Sequence, residues 1–108
     1  MMRIFKTRTF NKWAKKNKFS DELLVAAAFD VSNGVFEANL GGNIFKKRIA
    51  TKDRGKRGSG RTIIAFKVKE HSFFMFGFEK SEKSSLTEAE ERALKLVAKG
   101  MLTNLIFS

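Results

Sequence analysis

The sequence predicts an α+β protein: one small domain over residues 1–108, in which two N-terminal helices and one C-terminal helix pack on an antiparallel sheet of three to four strands. Three observations predict this class. The 108 residues can build one hydrophobic core but not two. Helical and strand patterns occur in separate blocks instead of alternating along the chain. Proline and low-complexity linkers, which would mark a domain boundary, are absent.

The N-terminal segment predicts a short strand followed by a helix. Residues 2–6 have the composition of a strand. The helical spacing of Phe10, Trp13 and Ala14 predicts a first helix over residues 9–17, with its lysines outside the apolar stripe. Trp13 is expected to lie in the core where this helix meets the sheet, although its neighbouring lysines leave a contact with RNA as the alternative.

A second helix begins after Ser20, which supplies a capping hydroxyl and is followed by two acidic residues at the positive end of the helix dipole. The Asn33-Gly34 pair is a stop signal, so the helix is expected to end near Ser32. Its buried stripe is predicted to contain five residues: Leu23, Leu24, Ala27, Ala28 and Val31.

The middle of the chain predicts three strands. After a loop containing Gly41-Gly42, residues 44–50 form the first, and residues 61–68 and 73–78 form an apolar pair. The polar residues 69–72 join this pair as a hairpin turn. His71 lies in that turn, where a lone histidine is usually solvated.

The C-terminal segment predicts one helix that opens with a capping box. Thr87 can accept from the amide three residues later, while Glu90 reaches back to the amide of Thr87. The spacing of Leu94, Val97 and Met101 predicts the buried face of this helix. The apolar tail, residues 102–108, has no pattern that places it.

Basic residues are concentrated in one segment. Residues 46–61 contain eight of them and a single acid, Asp53, in a chain of formal net charge +11. A glycine-punctuated cationic loop of this kind is what a phosphate-rich partner requires, and its place in a loop favours nucleic acid over a membrane surface. The chain has no cysteine and no apolar run long enough to span a bilayer. We therefore expect a cytoplasmic protein with no membrane partner.

The alternation of side chains along a strand predicts the face from which each basic side chain projects. Lys46 and Arg48 lie two apart and are expected to share one face of their strand, while Arg61 opens the next strand. If the two strands pair, these three side chains can converge on one side of the sheet and hold a backbone phosphate. The cations between the strands are expected to steer and position the backbone: Lys52, Arg54, Lys56 and Arg57.

The basic segment and the strands around it carry a family resemblance. Residues 46–50 (KKRIA), 55–58 (GKRG), 61–66 (RTIIAF) and 76–82 (FGFEKSE) resemble the RelE/ParE superfamily of bacterial toxins. They are most similar to the HigB-type branch, with its K-x-R strand, G-K-R-G loop and R-x-x-x-x-F strand. The capping-box helix that follows also agrees with this family.

The resemblance implies the toxin of a type II toxin–antitoxin system, a ribosome-dependent mRNA endonuclease (mRNA interferase) neutralised by a cognate antitoxin, expected to be a small helix-turn-helix protein. Such enzymes use no metal or cofactor, because the 2′-hydroxyl of the mRNA attacks the adjacent phosphate. Matched by position, the implied catalytic residues are Lys46, Arg48, Arg61 and Lys80. Residues expected to bind nucleic acid without catalysis are Lys47, Lys52, Arg54, Lys56 and Arg57.

Two other functions remain open from the sequence. Classical relatives place an Arg after the position of Lys80 and a Tyr further on, whereas this chain has Ser81 and no Tyr. A basic module that binds nucleic acid without cutting it is therefore one alternative. A ParE-like inhibitor of DNA gyrase with the same fold is the other. No cluster of Asp, Glu and His has metal-ligand spacing, so no metal is expected.

Overall fold

The computed structural model describes residues 3–49, 61–79 and 86–107, with the side chains of the last helix described as far as Met101. Three helices and five strands follow one another along the chain: β1 (Ile4–Lys6), α1 (Arg8–Lys16), α2 (Asp21–Ser32), β2 (Ala38–Gly41), β3 (Ile44–Ile49), β4 (Arg61–Val68), β5 (His71–Glu79) and α3 (Glu88–Phe107). The strands form one sheet in the order β1-β5-β4-β3-β2. The predicted α+β class, with two N-terminal helices and one C-terminal helix, is confirmed.

The sheet is larger than predicted and mixed. Strand β1 pairs with β5 in parallel, with Ile4 opposite Ser72, whereas the other three pairings are antiparallel. Strand β2 adds a hairpin with β3 at the opposite edge. The residues joining them, Gly41, Gly42 and Asn43, all have positive φ, of 90°, 60° and 65°. The two glycines tolerate this left-handed backbone without strain, so the predicted loop is a tight turn between strands.

The predicted N-terminal caps of α2 and α3 are confirmed. The Ser20 hydroxyl accepts a hydrogen bond from the Leu23 amide at 3.2 Å. The Thr87 amide donates to Glu90 at 2.9 Å and the Glu90 amide donates to the Thr87 hydroxyl at 3.1 Å, which is a reciprocal capping box. The Thr7 hydroxyl caps α1 by accepting from the Phe10 amide at 3.1 Å, and it also donates to the Met75 carbonyl on β5 at 3.0 Å. This second bond fixes α1 against the sheet.

Helices α1 and α2 cover one face of the sheet. The buried residues between them and the strands form a cluster that includes Phe10, Ala14, Leu24, Ile63 and Phe74. On α2 the buried residues are Leu24, Ala27, Ala28 and Val31, while Leu23 is exposed. The prediction for Leu23 is wrong because the buried stripe is centred one position further along the helix.

Helix α3 covers the other face. Among the residues of α3 up to Met101, whose side chains are described, Ala98 is buried, and Leu94 and Met101 are half-buried against a second cluster that includes Ile64 and Phe66. Val97, predicted to be buried, is 49% exposed, so that prediction is wrong. The helix continues through the apolar tail as far as Phe107. The sheet therefore has a hydrophobic core on each face, with α1 and α2 packed on one face and α3 on the other.

Gly77 on β5 lies directly against the Trp13 ring of α1. A Cβ atom added there would lie 2.4 Å from the indole ring of Trp13. We expect Gly77→Ala to lower the free energy of unfolding by about 1–3 kcal/mol, because the ring must move within a packed core. Urea unfolding measures this as a lower midpoint with an unchanged slope.

Gly100→Ala is the matched control for Gly77→Ala, since nothing lies within 4 Å of the added Cβ on α3. We expect that variant to be stabilised by up to about 1 kcal/mol through helix propensity. Equal stability of the wild type and Gly77→Ala would show that Trp13 moves aside without cost.

Candidate nucleic-acid interface

Lys46 and Arg48 project from the sheet face that carries α3. Both lie at two-residue intervals from Ile44, which is buried in the α3-side core, and strand side chains alternate between faces. On β4 their neighbours are Ile64 and Thr62, respectively. The prediction that Lys46 and Arg48 share a face is confirmed. Their Cα atoms are on the order of 7 Å apart along the strand, so both side chains can reach one phosphodiester.

Lys46 and Arg48 form no strong ion pair with other residues in the described part of the chain. Arg48 Nε lies 3.6 Å from a carboxylate oxygen of Glu37, and the Arg48 side chain is 45% exposed. An ion pair of this length and exposure contributes little to stability, and an incoming phosphate can displace the carboxylate. Lys46 is half-buried and makes no ion pair with any residue in the described part of the chain. Both side chains are therefore available to an anion.

Arg61 lies on the other face, turned towards α1. It pairs directly with Ile49, which belongs to the α1–α2 core, whereas Arg48 pairs with Thr62. The prediction that Arg61 converges with Lys46 and Arg48 on one side of the sheet is wrong. In the observed register Arg61 lies opposite an odd-numbered residue of β3, and a shift of one residue moves a side chain to the opposite face.

The Arg61 guanidinium contacts Glu79 at the end of β5 and Asn17 at the end of α1. One terminal nitrogen lies 2.8 Å from Glu79 Oε1, and Nε donates to Asn17 Oδ1 at 2.9 Å. Only 4% of the side chain is exposed. Arg61 thus connects the start of β4 with the end of β5 and the end of α1. We call Arg61, Glu79 and Asn17 the arginine clamp.

Asn17 is oriented for this contact by the helix that it terminates. Its backbone amide and its side-chain amide both bond to the Trp13 carbonyl, the latter at 2.8 Å, so its side-chain oxygen is turned outwards to Arg61. Sequence reasoning missed Asn17 because it is 44 residues from Arg61 and no local pattern relates the two. An Asn directly after a lysine-rich helix indicates only a helix end.

Lys47 also faces the α1–α2 layer. Its Nζ lies 3.0 Å from Asp30 Oδ2 on α2, and its side chain is 14% exposed. This ion pair ties β3 to α2 and directs Lys47 away from Lys46 and Arg48. Its predicted contact with nucleic acid remains a prediction.

Five other predicted site residues lie outside the described residues: Lys52, Arg54, Lys56, Arg57 and Lys80. The ends of the basic segment, however, are placed. Within it, Ile49 and Arg61 are the described residues on either side of residues 50–60, and they lie directly opposite one another on β3 and β4. Glu79, which precedes Lys80, lies opposite Arg61 on the other side of β4. The arginine clamp therefore joins Arg61 and Glu79, the described residues that stand next to residues 50–60 and to Lys80 in the sequence.

Two aromatic residues, Trp13 and Phe76, lie on opposite sides of the sheet. Trp13 packs in the α1–α2 core with ring centroids 5.7 Å from Phe10 and 5.2 Å from Phe19, which confirms the core interpretation of this residue. Phe76 is half-buried and lines a cavity of about 160 Å³ between β5 and α3. It pairs with Ile64, which in turn pairs with Lys46. Phe76 is therefore the aromatic residue in the same cross-strand row as Lys46.

His71 does not lie in the hairpin turn, which consists of Lys69 and Glu70, but begins β5. Its Nδ1 accepts a hydrogen bond from the Arg3 amide at 3.2 Å.

Within residues 3–49, 61–79 and 86–107, no group of three or more His, Asp or Glu side chains is placed to hold a metal ion. No helix in this part of the chain is long and apolar enough to cross a membrane.

These features define a small basic α+β domain with two cations presented on a rigid strand. A family model described as the RelE toxin of the RelE/RelB toxin–antitoxin system matches residues 2–105. The chain therefore belongs to the RelE toxin family, which confirms the RelE/ParE resemblance. It is a toxin of a toxin–antitoxin system, and the family implies a cognate antitoxin as its partner. A search of curated proteins finds no match.

Proposed function

We propose that this toxin is a ribosome-dependent mRNA endonuclease of the HigB-like branch and that Lys46 and Arg48 hold the phosphate at which it cuts. The observation that supports the proposal is the placement of both cations on one face of a paired strand, where Arg48 has only a long contact of 3.6 Å to the Glu37 carboxylate. A site on a central strand holds its side chains more precisely than a loop does.

The proposed reaction needs few protein groups. The 2′-oxygen of the RNA forms a bond to the adjacent phosphorus while the bond from phosphorus to the 5′-oxygen breaks. The 2′-hydroxyl loses its proton, the leaving 5′-oxygen gains one, and the products carry a 2′,3′-cyclic phosphate and a 5′-hydroxyl. Negative charge accumulates on the phosphoryl oxygens in the transition state, where preorganised cations stabilise it most.

The two side chains are suited to different parts of this reaction. The Arg48 guanidinium presents several N–H donors in a fixed plane, so Arg48 is assigned to charge stabilisation. Lys46 can also exchange a proton and is assigned to proton transfer as well as to phosphate binding. Lys80, implied by the family resemblance, completes the proposed catalytic set. Because this chain has no Tyr, Phe76 is the proposed stacking partner for a base.

The test is mRNA cleavage in a translation extract. We expect the purified toxin to cut a reporter mRNA within its translated region, leaving fragments with 2′,3′-cyclic phosphate ends, and to leave the same RNA largely intact without ribosomes. Growth arrest with intact mRNA would contradict the proposal. A parallel DNA supercoiling assay then detects inhibition of gyrase. If the protein binds nucleic acid but neither cleaves mRNA nor inhibits gyrase, it is a non-catalytic nucleic-acid-binding module.

The proposed partners are mRNA on the ribosome and a small helix-turn-helix antitoxin. A toxin with a net charge of +11 is best neutralised by a protein that brings an acidic segment to its cationic face. Both partners place the proposed activity in the cytoplasm. The neighbouring gene tests the antitoxin assignment, since co-expression of its product should restore growth.

A further inference from the structure

The exposed face of α1 is a second basic surface, separate from Lys46 and Arg48. Four cations occupy it: Arg8, Lys12, Lys15 and Lys16. At the rotation of an α-helix, this spacing places all four within about 100° of the circumference and spreads them over on the order of 12 Å of its length. The stripe lies opposite Phe10 and Ala14, which are buried in the core.

No acidic residue in the described part of the chain neutralises this stripe. Helix α1 contains no acidic residue, and none of the four cations has a carboxylate within ion-pair distance in the described part of the chain. Arg8 and Lys12, like Lys12 and Lys16, are like charges four residues apart, which destabilise a helix. Arg8 also lies at the positive end of the helix dipole. Helix α3, in contrast, pairs Lys95 with Glu91 at 3.2 Å.

The chemistry of the stripe matches a phosphate backbone better than a protein. Protein interfaces depend on large apolar or aromatic residues at their centre, and α1 exposes none. The domain exposes such residues elsewhere, including Val25 and Phe29 on α2 and Leu96 and Val97 on α3. Binding by several cations with no apolar anchor is the pattern of sequence-independent contact with nucleic-acid phosphates.

We propose that the α1 stripe binds the phosphate backbone of a folded RNA, at a site distinct from the one where Lys46 and Arg48 hold the cleaved strand. Helix α1 covers one face of the sheet, whereas Lys46 and Arg48 project from the other. The two cationic surfaces therefore meet different RNA segments. This inference deepens the proposed function and rests on it for the choice of RNA as the polyanion.

The test compares RNA binding by Arg8→Gln/Lys12→Gln with that of the wild-type toxin. The probe is a short RNA duplex of 2′-O-methyl nucleotides, which lack the free 2′-hydroxyl and cannot be cut, and fluorescence anisotropy follows binding across a range of salt concentrations. Loss of two phosphate contacts should lower the slope of log affinity against log salt by about 1.5–1.8. At physiological salt the affinity should fall roughly 10- to 30-fold. The melting temperature should not fall, because the substitutions remove like-charge repulsion.

Arg92→Gln/Lys99→Gln is the matched control, since it removes the same charge from exposed positions on α3. Its affinity should stay within about threefold of wild type, because net charge alone acts only through screened, long-range attraction. Equal losses in the two variants would overturn the proposal by showing a general charge effect. Unchanged RNA binding by the α1 variant, with lost binding to the cognate antitoxin, would overturn it in favour of a protein-binding surface.

The experiment separates this inference from the proposed nuclease activity. Because the probe cannot be cleaved, a selective loss of binding in the α1 variant supports the second RNA site even if the toxin cuts no mRNA in the translation extract. Conversely, normal cleavage together with an unchanged salt slope rejects the α1 site and leaves the proposed function standing.

Discussion

Replacing Lys46 and Arg48 together by Ala is expected to abolish mRNA cleavage in a translation extract, lowering the cleavage rate by at least about 10²–10³-fold. The two side chains are cations on the α3-side face of β3. We propose that they stabilise the negative charge that develops on the phosphate. Removing one preorganised donor from such a site costs about 10²–10³ in rate in enzymes where this has been measured. Removing both should cost no less.

The same variant is expected to keep its fold. Lys46 makes no ion pair within the described residues, and the contact from Arg48 to Glu37 is long and exposed. The free energy of unfolding should therefore change by less than about 1 kcal/mol. Circular dichroism and urea unfolding of the purified variant check this, so that a loss of cleavage cannot be attributed to unfolding.

Charge loss by itself is controlled with Arg92→Ala/Lys99→Ala, which removes two exposed cations from α3 and should cleave mRNA at nearly the wild-type rate. Lys46→Arg separates two roles within the site, because Arg keeps the charge but cannot exchange a proton. Proton transfer by Lys46 predicts that Lys46→Arg is nearly as inactive as Lys46→Ala. Full cleavage and growth arrest by the double Ala variant would remove both residues from the catalytic site.

Features that depend on neighbouring residues could be predicted from the sequence. The caps at Ser20 and Thr87 involve an amide three residues away, so the residue types determine the contact. The common face of Lys46 and Arg48 follows from strand alternation alone, because every strand shares that geometry. These local rules were sufficient to place the two cations on one surface before any pairing was known.

Features that depend on pairing between distant segments could not be predicted. No recognisable turn motif between Ile49 and Arg61 predicts how β3 and β4 align, and a shift of one residue decides which face Arg61 occupies. The ion pair from Lys47 to Asp30 likewise depends on where α2 crosses the sheet. The cationic surface therefore contains two, not three, of the strand-borne residues expected there.

Helix α3 shows a different limit. Leu94, Leu96, Val97, Ala98 and Met101 spread apolar side chains around much of its circumference. Because several stripes of helical spacing can be drawn through such a set, periodicity alone does not single out the buried one. The structure buries Ala98 and leaves Leu96 71% exposed. A small residue at the contact lets the helix approach the sheet closely, which a search for large apolar residues does not detect.

Arg61→Ala is expected to lower the free energy of unfolding by roughly 3 kcal/mol. The substitution leaves the Glu79 carboxylate and the Asn17 side-chain oxygen without their bonds to a guanidinium that is only 4% exposed. It also releases the start of β4 from the ends of β5 and α1. Urea unfolding gives the measurement. Arg61→Lys should recover only part of the loss, because one ammonium group cannot reproduce the geometry of both contacts.

Arg61→Ala/Glu79→Ala decides whether Arg61 acts through the arginine clamp or on the substrate. Removing both members of a partly buried ion pair is less damaging than leaving one member unpaired, so the double variant should be more stable than Arg61→Ala by about 1–2 kcal/mol. If Arg61 only positions the strands, mRNA cleavage should recover along with stability, measured at a temperature where both variants are folded. If cleavage stays lost while stability returns, Arg61 stabilises the phosphate directly, as the family resemblance implies, and its guanidinium must then leave Glu79 when RNA binds.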